Sequence, residues 1–268
     1  MRVVRVDRVD DPRLEEYRHM ADADLLRRRN LFVAEGRLVV SRIIEGAHRV
    51  VSLLLNDASF RALEPALSGI PADTPVYVCA TGDFAGITGF HLHRGCLALA
   101  ERPDRRAIVD VVDGADLLLV LEGVTDADNV GSAFRNAAAF GAGGVLLSPG
   151  CCDPLYRKAI RTSMGSALRI PYAHLDDWPG DLEMLKAKGF TLIALTPGST
   201  ATDLASCARR GKIAVLLGTE GPGLTVAAET LADVRVRIPV RADVDSLNVA
   251  TAAGIALWHF TRSESKIP

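Results

Sequence analysis

The sequence lacks the patterns that identify several common classes of protein. Its five cysteines form no Cys-x-x-Cys pair and no spacing typical of metal ligands, so neither a zinc ribbon nor a disulfide scaffold is indicated. No signal peptide is recognisable, and we therefore expect reduced thiols and a cytoplasmic protein. No apolar run approaches the roughly 20 residues that a membrane-spanning helix needs, so no membrane partner is expected.

The sequence also lacks a strong net charge and the known glycine-rich motifs that bind nucleotides. The formal net charge of −2 gives no global basic field, although a local arginine patch would be enough to bind RNA. Residues 218–223 (GTEGPG) are not followed by the Lys-Ser/Thr pair of a phosphate loop. Residues 141–144 (GAGG) end a predicted helix, where a dinucleotide fingerprint would open one. These absences disfavour one alternative class, a Rossmann-type oxidoreductase or another nucleotide-binding enzyme.

What the sequence does contain is a long alternation of strand and helix patterns. Its 268 residues, of which 49% are hydrophobic, are enough for two domains with buried cores. The charged, proline-containing segment 101–106 predicts a boundary between a domain at residues 1–106 and a domain at residues 107–268. In the second domain, near-continuous runs of Val, Ile and Leu indicate parallel strands covered by helices on both faces. The predicted strands there are residues 117–121, 144–147, 170–174, 190–195, 213–217 and 234–238.

Three polar segments follow predicted strands of the second domain. They are residues 129–136 (NVGSAFRN), residues 218–223 and residues 246–248 (SLN). Open α/β folds bind ligands at the carboxyl edge of the sheet, so these segments can converge on one site.

Each segment also has a plain structural interpretation. The glycine-rich one can be a turn before a helix capped by Thr225, and Ser246 can cap the last helix. Asp126 or Asp128 can cap the helix that contains Asn129.

Together the three segments resemble the motifs of the SpoU family of RNA 2′-O-ribose methyltransferases, within the SPOUT class. The matching residues are 129–137 (NVGSAFRNA), 217–224 (LGTEGPGL), and 238–239 (IP) with 245–250 (DSLNVA). This resemblance covers residues 115–262. The N-terminal part is similar to the family's small substrate-binding domain through Phe32, Glu35, Gly36 and the segment 93–95 (HRG), in which Arg94 stands where the family usually has Gln.

The resemblance implies a fold, a reaction and partners. The fold is α/β, with a C-terminal SPOUT-type domain containing a parallel sheet and a deep trefoil knot, and a small N-terminal α/β domain like a ribosomal protein. The reaction is methyl transfer from S-adenosyl-L-methionine, without a metal, to a ribose 2′-OH of tRNA or rRNA. A homodimer through the first and last helices of the catalytic domain is also implied, and the small apolar face at Ala250, Ala253, Gly254 and Leu257 suits close helix packing.

The resemblance also assigns residues to the site. Its implied catalytic residues are Asn129, Arg135, Glu220, Ser246 and Asn248, and its implied cofactor-binding residues are Leu195, Thr196, Gly218, Ile238 and Leu247. The candidate RNA contacts are Arg27, Arg28, Arg29 and Arg94.

Two points of interpretation remain open at this stage. An arginine stays protonated in proteins, so Arg135 is expected to stabilise the developing alkoxide or to grip a phosphate, and Glu220 to anchor either Arg135 or Asn129. A second alternative is a non-catalytic RNA-binding protein that retains the fold and the cofactor pocket.

Overall fold

The computed structural model describes residues 1–18, 23, 25–88, 95–241 and 243–262. The chain divides into two compact units. The first unit contains Met1–Asp104 together with Leu155–Leu168, and the second contains Arg105–Pro154 and Arg169–Pro268.

The first unit is built on a five-stranded sheet with the order β1-β4-β3-β5-β2. β1, β4 and β3 are parallel neighbours, whereas β5 runs antiparallel to both β3 and β2. Its strands are β1 Arg2–Arg5, β2 Leu31–Glu35, β3 Val50–Asn56, β4 Pro75–Cys79 and β5 Cys96–Glu101. Its helices are α1 Glu15–Arg18, α2 Arg37–Glu45, α3 Asp57–Leu67 and α4 Phe84–Thr88, with a 3-10 turn at Pro12–Leu14 and a π-helical segment at Leu25–Arg29.

The second unit is built on a seven-stranded sheet whose neighbouring strands are all parallel, as the apolar runs predicted. The sheet order is β10-β12-β9-β11-β6-β7-β8. Its strands are β6 Leu117–Leu121, β7 Gly144–Leu147, β8 Tyr172–His174, β9 Thr191–Leu195, β10 Thr202–Asp203, β11 Ile213–Leu217 and β12 Val234–Arg237. The helices after residue 105 are α5 Ile108–Val112, α6 Ala127–Ala139, α7 Arg157–Thr162, which lies in the first unit, α8 Asp181–Ala187, α9 Val226–Leu231 and α10 Val249–Arg262.

The two central strands of this sheet explain its core. All five residues of β6 and all five of β11 are buried, so each strand is covered on both faces. Their register pairs Leu121 with Leu217, and the chain leaves both strands at the same edge. At that edge the backbone N–H of Glu122 donates to the carbonyl oxygen of Leu217 at 2.8 Å, which holds the two exits side by side.

The helix α7 belongs to the first unit although β7 of the second unit precedes it in the chain. Arg157 and Arg161, one turn apart, both approach Oε2 of Glu35, at 2.7 and 3.5 Å. The Glu35 side chain is only 13% exposed, so its carboxylate is partly shielded from water. Hydrogen bonds to the two positively charged arginines stabilise it there. This ion pair anchors α7 to the end of β2.

Candidate active site

A cavity of about 660 Å³ lies at the carboxyl edge of the second unit's sheet. The exits of β9, β11 and β12 meet there because these strands are neighbours in the sheet. The N–H of Thr196 donates to the Val236 carbonyl at 3.0 Å, which ties the end of β9 to β12. The five residues assigned to the cofactor all line the cavity: Leu195, Thr196, Gly218, Ile238 and Leu247.

One wall of the cavity is the segment 218–224, which we call the site loop. An added Cβ on Gly218 would lie 1.9 Å from the carbonyl carbon of Gly223 and 2.1 Å from the nitrogen of Leu224. Only glycine therefore allows the two ends of the loop to approach. Gly221 and Gly223 have φ values of +85° and +75°, which L side chains rarely adopt. The loop is followed by Thr225, whose hydroxyl caps α9 by accepting from the N–H of Ala228 at 3.3 Å, as predicted.

At the rim of the cavity, three side chains from distant parts of the chain form a hydrogen-bonded cluster. Oε1 of Glu220 accepts from Nδ2 of Asn129 at 2.8 Å and from Nδ2 of Asn248 at 3.0 Å. The same Asn248 amide group donates to Oδ1 of Asn129 at 2.8 Å. The predicted convergence of the three segments is therefore present in the structure. Of the two anchoring partners expected for Glu220, the structure has Asn129.

The prediction that Ser246 caps the last helix is wrong. The helix begins at Val249, and Oδ1 of Asn248 accepts from the N–H groups of Ala250 and Thr251 at 2.9 and 3.2 Å. These are the unpaired donors that an N-cap satisfies. Asn248 thus uses its oxygen for the cap and its amide nitrogen for the cluster. Ser246 lines the cavity two residues earlier.

Arg135 lies apart from this cluster. Asp126 caps α6 by accepting from the N–H groups of Asp128 and Asn129, at 2.7 and 3.0 Å, which places Asn129 in the first turn. Arg135 follows on the same helix and is exposed, and it makes no hydrogen bond or ion pair within the described part of the chain. Its guanidinium is therefore available to a ligand.

The helix α6 and the last helix α10 pack against each other through small residues. Nδ2 of Asn136 donates to the Ala250 carbonyl at 2.7 Å, and a Cβ on Gly254 would approach Asn136 to 3.0 Å. Ala250, Ala253 and Leu257, whose small apolar face was expected to suit close helix packing, are buried within the chain itself. Close packing was expected correctly, and at Ala250 and Gly254 it is against α6 of the same chain.

The exposed part of α10 is different in kind. Trp258 is 46% exposed, and the guanidinium of Arg262 lies 4.4 Å from its ring centre. A groove beside it is lined by Ser132 of α6, by Phe140 directly after that helix, and by Thr251 and Ile255 of α10.

The candidate RNA contacts lie in the first unit. Arg27, Arg28 and Arg29 are exposed on the π-helical segment, and Arg29 pairs with Glu16. Arg94 and the rest of its His-Arg-Gly segment before Gly95 lie outside the described residues.

The sequence analysis missed Glu122, which meets Trp178 and Thr225 behind the site loop. Glu122 is only 6% exposed, and its carboxylate accepts from Nε1 of Trp178 and from both the N–H and the hydroxyl of Thr225. A signal was available, because Glu122 directly follows five apolar strand residues, where an unpaired charge would be costly.

Metal and thiol chemistry have little support in the described residues. No group of three or more His, Cys, Asp or Glu side chains there could hold a metal ion. None of the five cysteines, all of them in the described part of the chain, forms a disulfide, and burial raises the pKa of the Cys151 thiol after β7. No helix in the same residues is long and apolar enough to cross a bilayer.

The second unit has a parallel sheet, a cavity at the exits of its strands, and a carboxylate and two amides at the rim. This arrangement is typical of α/β domains that bind ligands. Residues 116–258 match the model of the SpoU rRNA Methylase family. The chain belongs to this family, which confirms the assignment made from its three motifs.

Named relatives agree with the family, and a solved structure shares the fold. The chain is 45% identical over 261 residues to an uncharacterised tRNA/rRNA methyltransferase of Mycobacterium bovis, covering 95% of this chain and 90% of that protein. It is 30% identical over 250 residues to the 23S rRNA (guanosine-2′-O-)-methyltransferase RlmB of Xylella fastidiosa, covering 90% and 100%. The AdoMet-bound rRNA methyltransferase of Sinorhizobium meliloti has the same fold, with a TM-score of 0.83 at 22% identity over 98% of this chain and 99% of that one.

The double role of Asn248 can be tested by stability. Asn248→Ala removes the cap and should lower the free energy of unfolding by ~1 kcal/mol, whereas Asn248→Ser keeps a capping oxygen and should lose only a few tenths. Denaturant unfolding followed by tryptophan fluorescence measures this, because both tryptophans, Trp178 and Trp258, lie in the second unit. Equal losses in the two variants would contradict the cap.

Proposed function

We propose that the protein transfers a methyl group from S-adenosyl-L-methionine to a ribose 2′-OH of tRNA or rRNA. The observation that carries the proposal is the Asn129–Glu220–Asn248 cluster at the rim of the cavity, in a chain of the SpoU family. The full-length relationship to an enzyme named for guanosine 2′-O-methylation of 23S rRNA favours rRNA as the substrate.

The cavity suits the proposed methyl donor. Leu195, Ile238 and Leu247 offer apolar walls, and Gly218 exposes backbone that can bond to an uncharged adenine. The cavity volume of about 660 Å³ is within the range of sites for ligands of this size. Bound there, the donor would supply a methyl group carried on a sulfonium sulfur. The neutral thioether that remains is a good leaving group, so the transfer needs no metal.

The polar residues divide the remaining work. Arg135 is unpaired in the described structure, so its guanidinium can grip the phosphate beside the reacting ribose or stabilise the developing alkoxide. Asn129 orients the ribose, held in place by Glu220 and Asn248, and Ser246 contributes a hydroxyl to the same wall of the cavity. Holding the reacting groups in this way accounts for much of the barrier reduction in such a reaction.

A non-catalytic RNA-binding protein is the less favoured reading. Such a protein has no need of a formed cluster around Glu220 or of an unpaired Arg135. Both features are retained in this chain.

We further propose the wider arrangement that the family resemblance implies. The domain at residues 1–106, ribosomal-protein-like, binds RNA, and the domain at residues 107–268 is threaded as a deep trefoil knot and catalyses the reaction. Two copies pair through exposed parts of α6 and α10, and the exposed Trp258 beside the groove supports this interface. A sedimentation mass of one chain, 28.6 kDa, would contradict the homodimer.

The transfer reaction is tested with tritiated S-adenosyl-L-methionine and total RNA from a strain deleted for the gene. We expect label at one ribose, and Arg135→Ala should lower turnover at least ~100-fold, the loss typical of removing one donor that stabilises a developing anion. Calorimetry should show donor binding within about twofold of wild type. Loss of donor binding in Arg135→Ala would contradict this division of roles.

The donor pocket is tested at its tightest point. Gly218→Ala adds a Cβ that collides with backbone of the site loop, a strain of roughly 1–3 kcal/mol, so donor affinity should fall about 10- to 100-fold by calorimetry. Gly198→Ala is the matched control, because its Cβ would meet only the Thr196 side chain at 3.7 Å. Equal affinities in the two variants would contradict the assignment of the pocket.

The RNA contacts are tested through salt dependence. If Arg27, Arg28 and Arg29 each neutralise a phosphate, replacing all three by Ala should reduce the slope of log affinity against log salt by about 2 units. Filter binding between roughly 50 and 200 mM salt measures the slope, the range over which phosphate contacts change affinity steeply. Donor affinity serves as the control and should not change, and an unaltered slope would exclude these residues.

A further inference from the structure

Both ends of the site loop are hydrogen-bonded to a single residue. Immediately before the loop, the carbonyl of Leu217 accepts from the backbone N–H of Glu122 at 2.8 Å. Immediately after it, the N–H and the hydroxyl of Thr225 donate to Oε2 and Oε1 of Glu122, each at 2.8 Å. Glu122 therefore bridges Leu217 and Thr225, the two residues that flank the loop and that we call its neck. Its backbone bonds to Leu217 and its carboxylate to Thr225.

The surroundings of this carboxylate make its geometry demanding. Glu122 is 6% exposed, and no basic side chain pairs with it in the part of the chain that the structure describes. Its oxygens are satisfied by neutral donors alone, the two from Thr225 and Nε1 of Trp178. Because an unsatisfied buried charge is costly, displacing Thr225 would leave the carboxylate short of donors.

The loop transmits this constraint to the site. Backbone at Gly218 and Gly223 is in contact, and the N–H of Gly223 donates to the Thr219 carbonyl at 3.0 Å, so the loop is a closed ring above its neck. Glu220 lies on that ring. Its Oε1 accepts from Asn129 and Asn248 at 2.8 and 3.0 Å, so the path of the ring fixes where these bonds form.

We propose that Glu122 is the positioning residue of the site: it closes the neck of the site loop and thereby sets where Glu220 meets Asn129 and Asn248. It does not touch the cavity itself, and it acts through Leu217 and Thr225. Its effect on methyl transfer rests on the proposed function, whereas its effect on the loop does not.

The experiment compares two variants that both disturb the same buried carboxylate in the full chain. Glu122→Met keeps the side-chain length but removes every acceptor. Trp178→Phe removes one donor and leaves both donors of Thr225 in place. Amide hydrogen exchange at Gly223 and Thr225 should become at least about tenfold faster in Glu122→Met and stay within about twofold of wild type in Trp178→Phe, because only the former frees the loop.

Donor affinity is measured on the same samples by titration with S-adenosyl-L-methionine. We expect it to fall about tenfold in Glu122→Met, equivalent to ~1.4 kcal/mol, and to be retained in Trp178→Phe, even where the two variants have lost similar thermal stability. A purely structural role would instead make affinity follow the melting temperature in both variants.

The outcomes separate the two proposals. Unchanged exchange in a folded Glu122→Met, or equal acceleration in both variants, overturns the positioning role. Faster exchange in Glu122→Met together with a wild-type protein that binds no donor upholds the positioning role and overturns the proposed function. If Glu122→Met does not fold, Glu122→Asp replaces it, because its shorter carboxylate cannot reach Thr225, and wild-type exchange in that variant overturns the role equally.

Discussion

The site depends on the hydrogen bonds that Glu220 accepts from Asn129 and Asn248. These side chains are 91 and 28 positions away along the chain, so only the fold can bring them together. The bonds lie at an exposed rim, where each contributes ~1 kcal/mol or less to stability, and they cannot hold the site in place by themselves. The buried strands do that, since the register of β6 and β11 sets where the flanking loops begin.

Rigid support explains why so much of the site is backbone. The site loop is closed by glycine contact at Gly218 and by the bonds of Glu122 and Thr225 behind it. Asn248 combines a helix cap with a contact to Glu220, so the start of α10 and the cluster are positioned by the same side chain. A site built in this way loses little entropy when it binds a ligand, which is the advantage of preorganisation.

Much of the second unit could be predicted because its strands are buried on both faces. Runs such as those of β6 and β11 have an unmistakable composition, whereas β1 could not be found, since it lies at a sheet edge with three of its four residues exposed and shows no alternation. The Ser246 cap was wrong because Ser and Asn are both good caps, and only the backbone path decides which one faces the free N–H groups. The small residues of α10 indicated close packing correctly, but composition cannot tell a helix of the same chain from one of a partner.

The sequence by itself determined the parallel α/β architecture, the family, and which polar segments follow which strands. These features are local in sequence, because the apolar runs of strands buried on both faces and the motif residues each occupy short contiguous segments. Only the tertiary structure decided that Glu220 bonds to Asn129 and not to Arg135, that Asn248 is the cap, and that Glu122 joins both ends of the site loop. Those contacts depend on strand order and register across many intervening residues, and side-chain type alone carries no information about either.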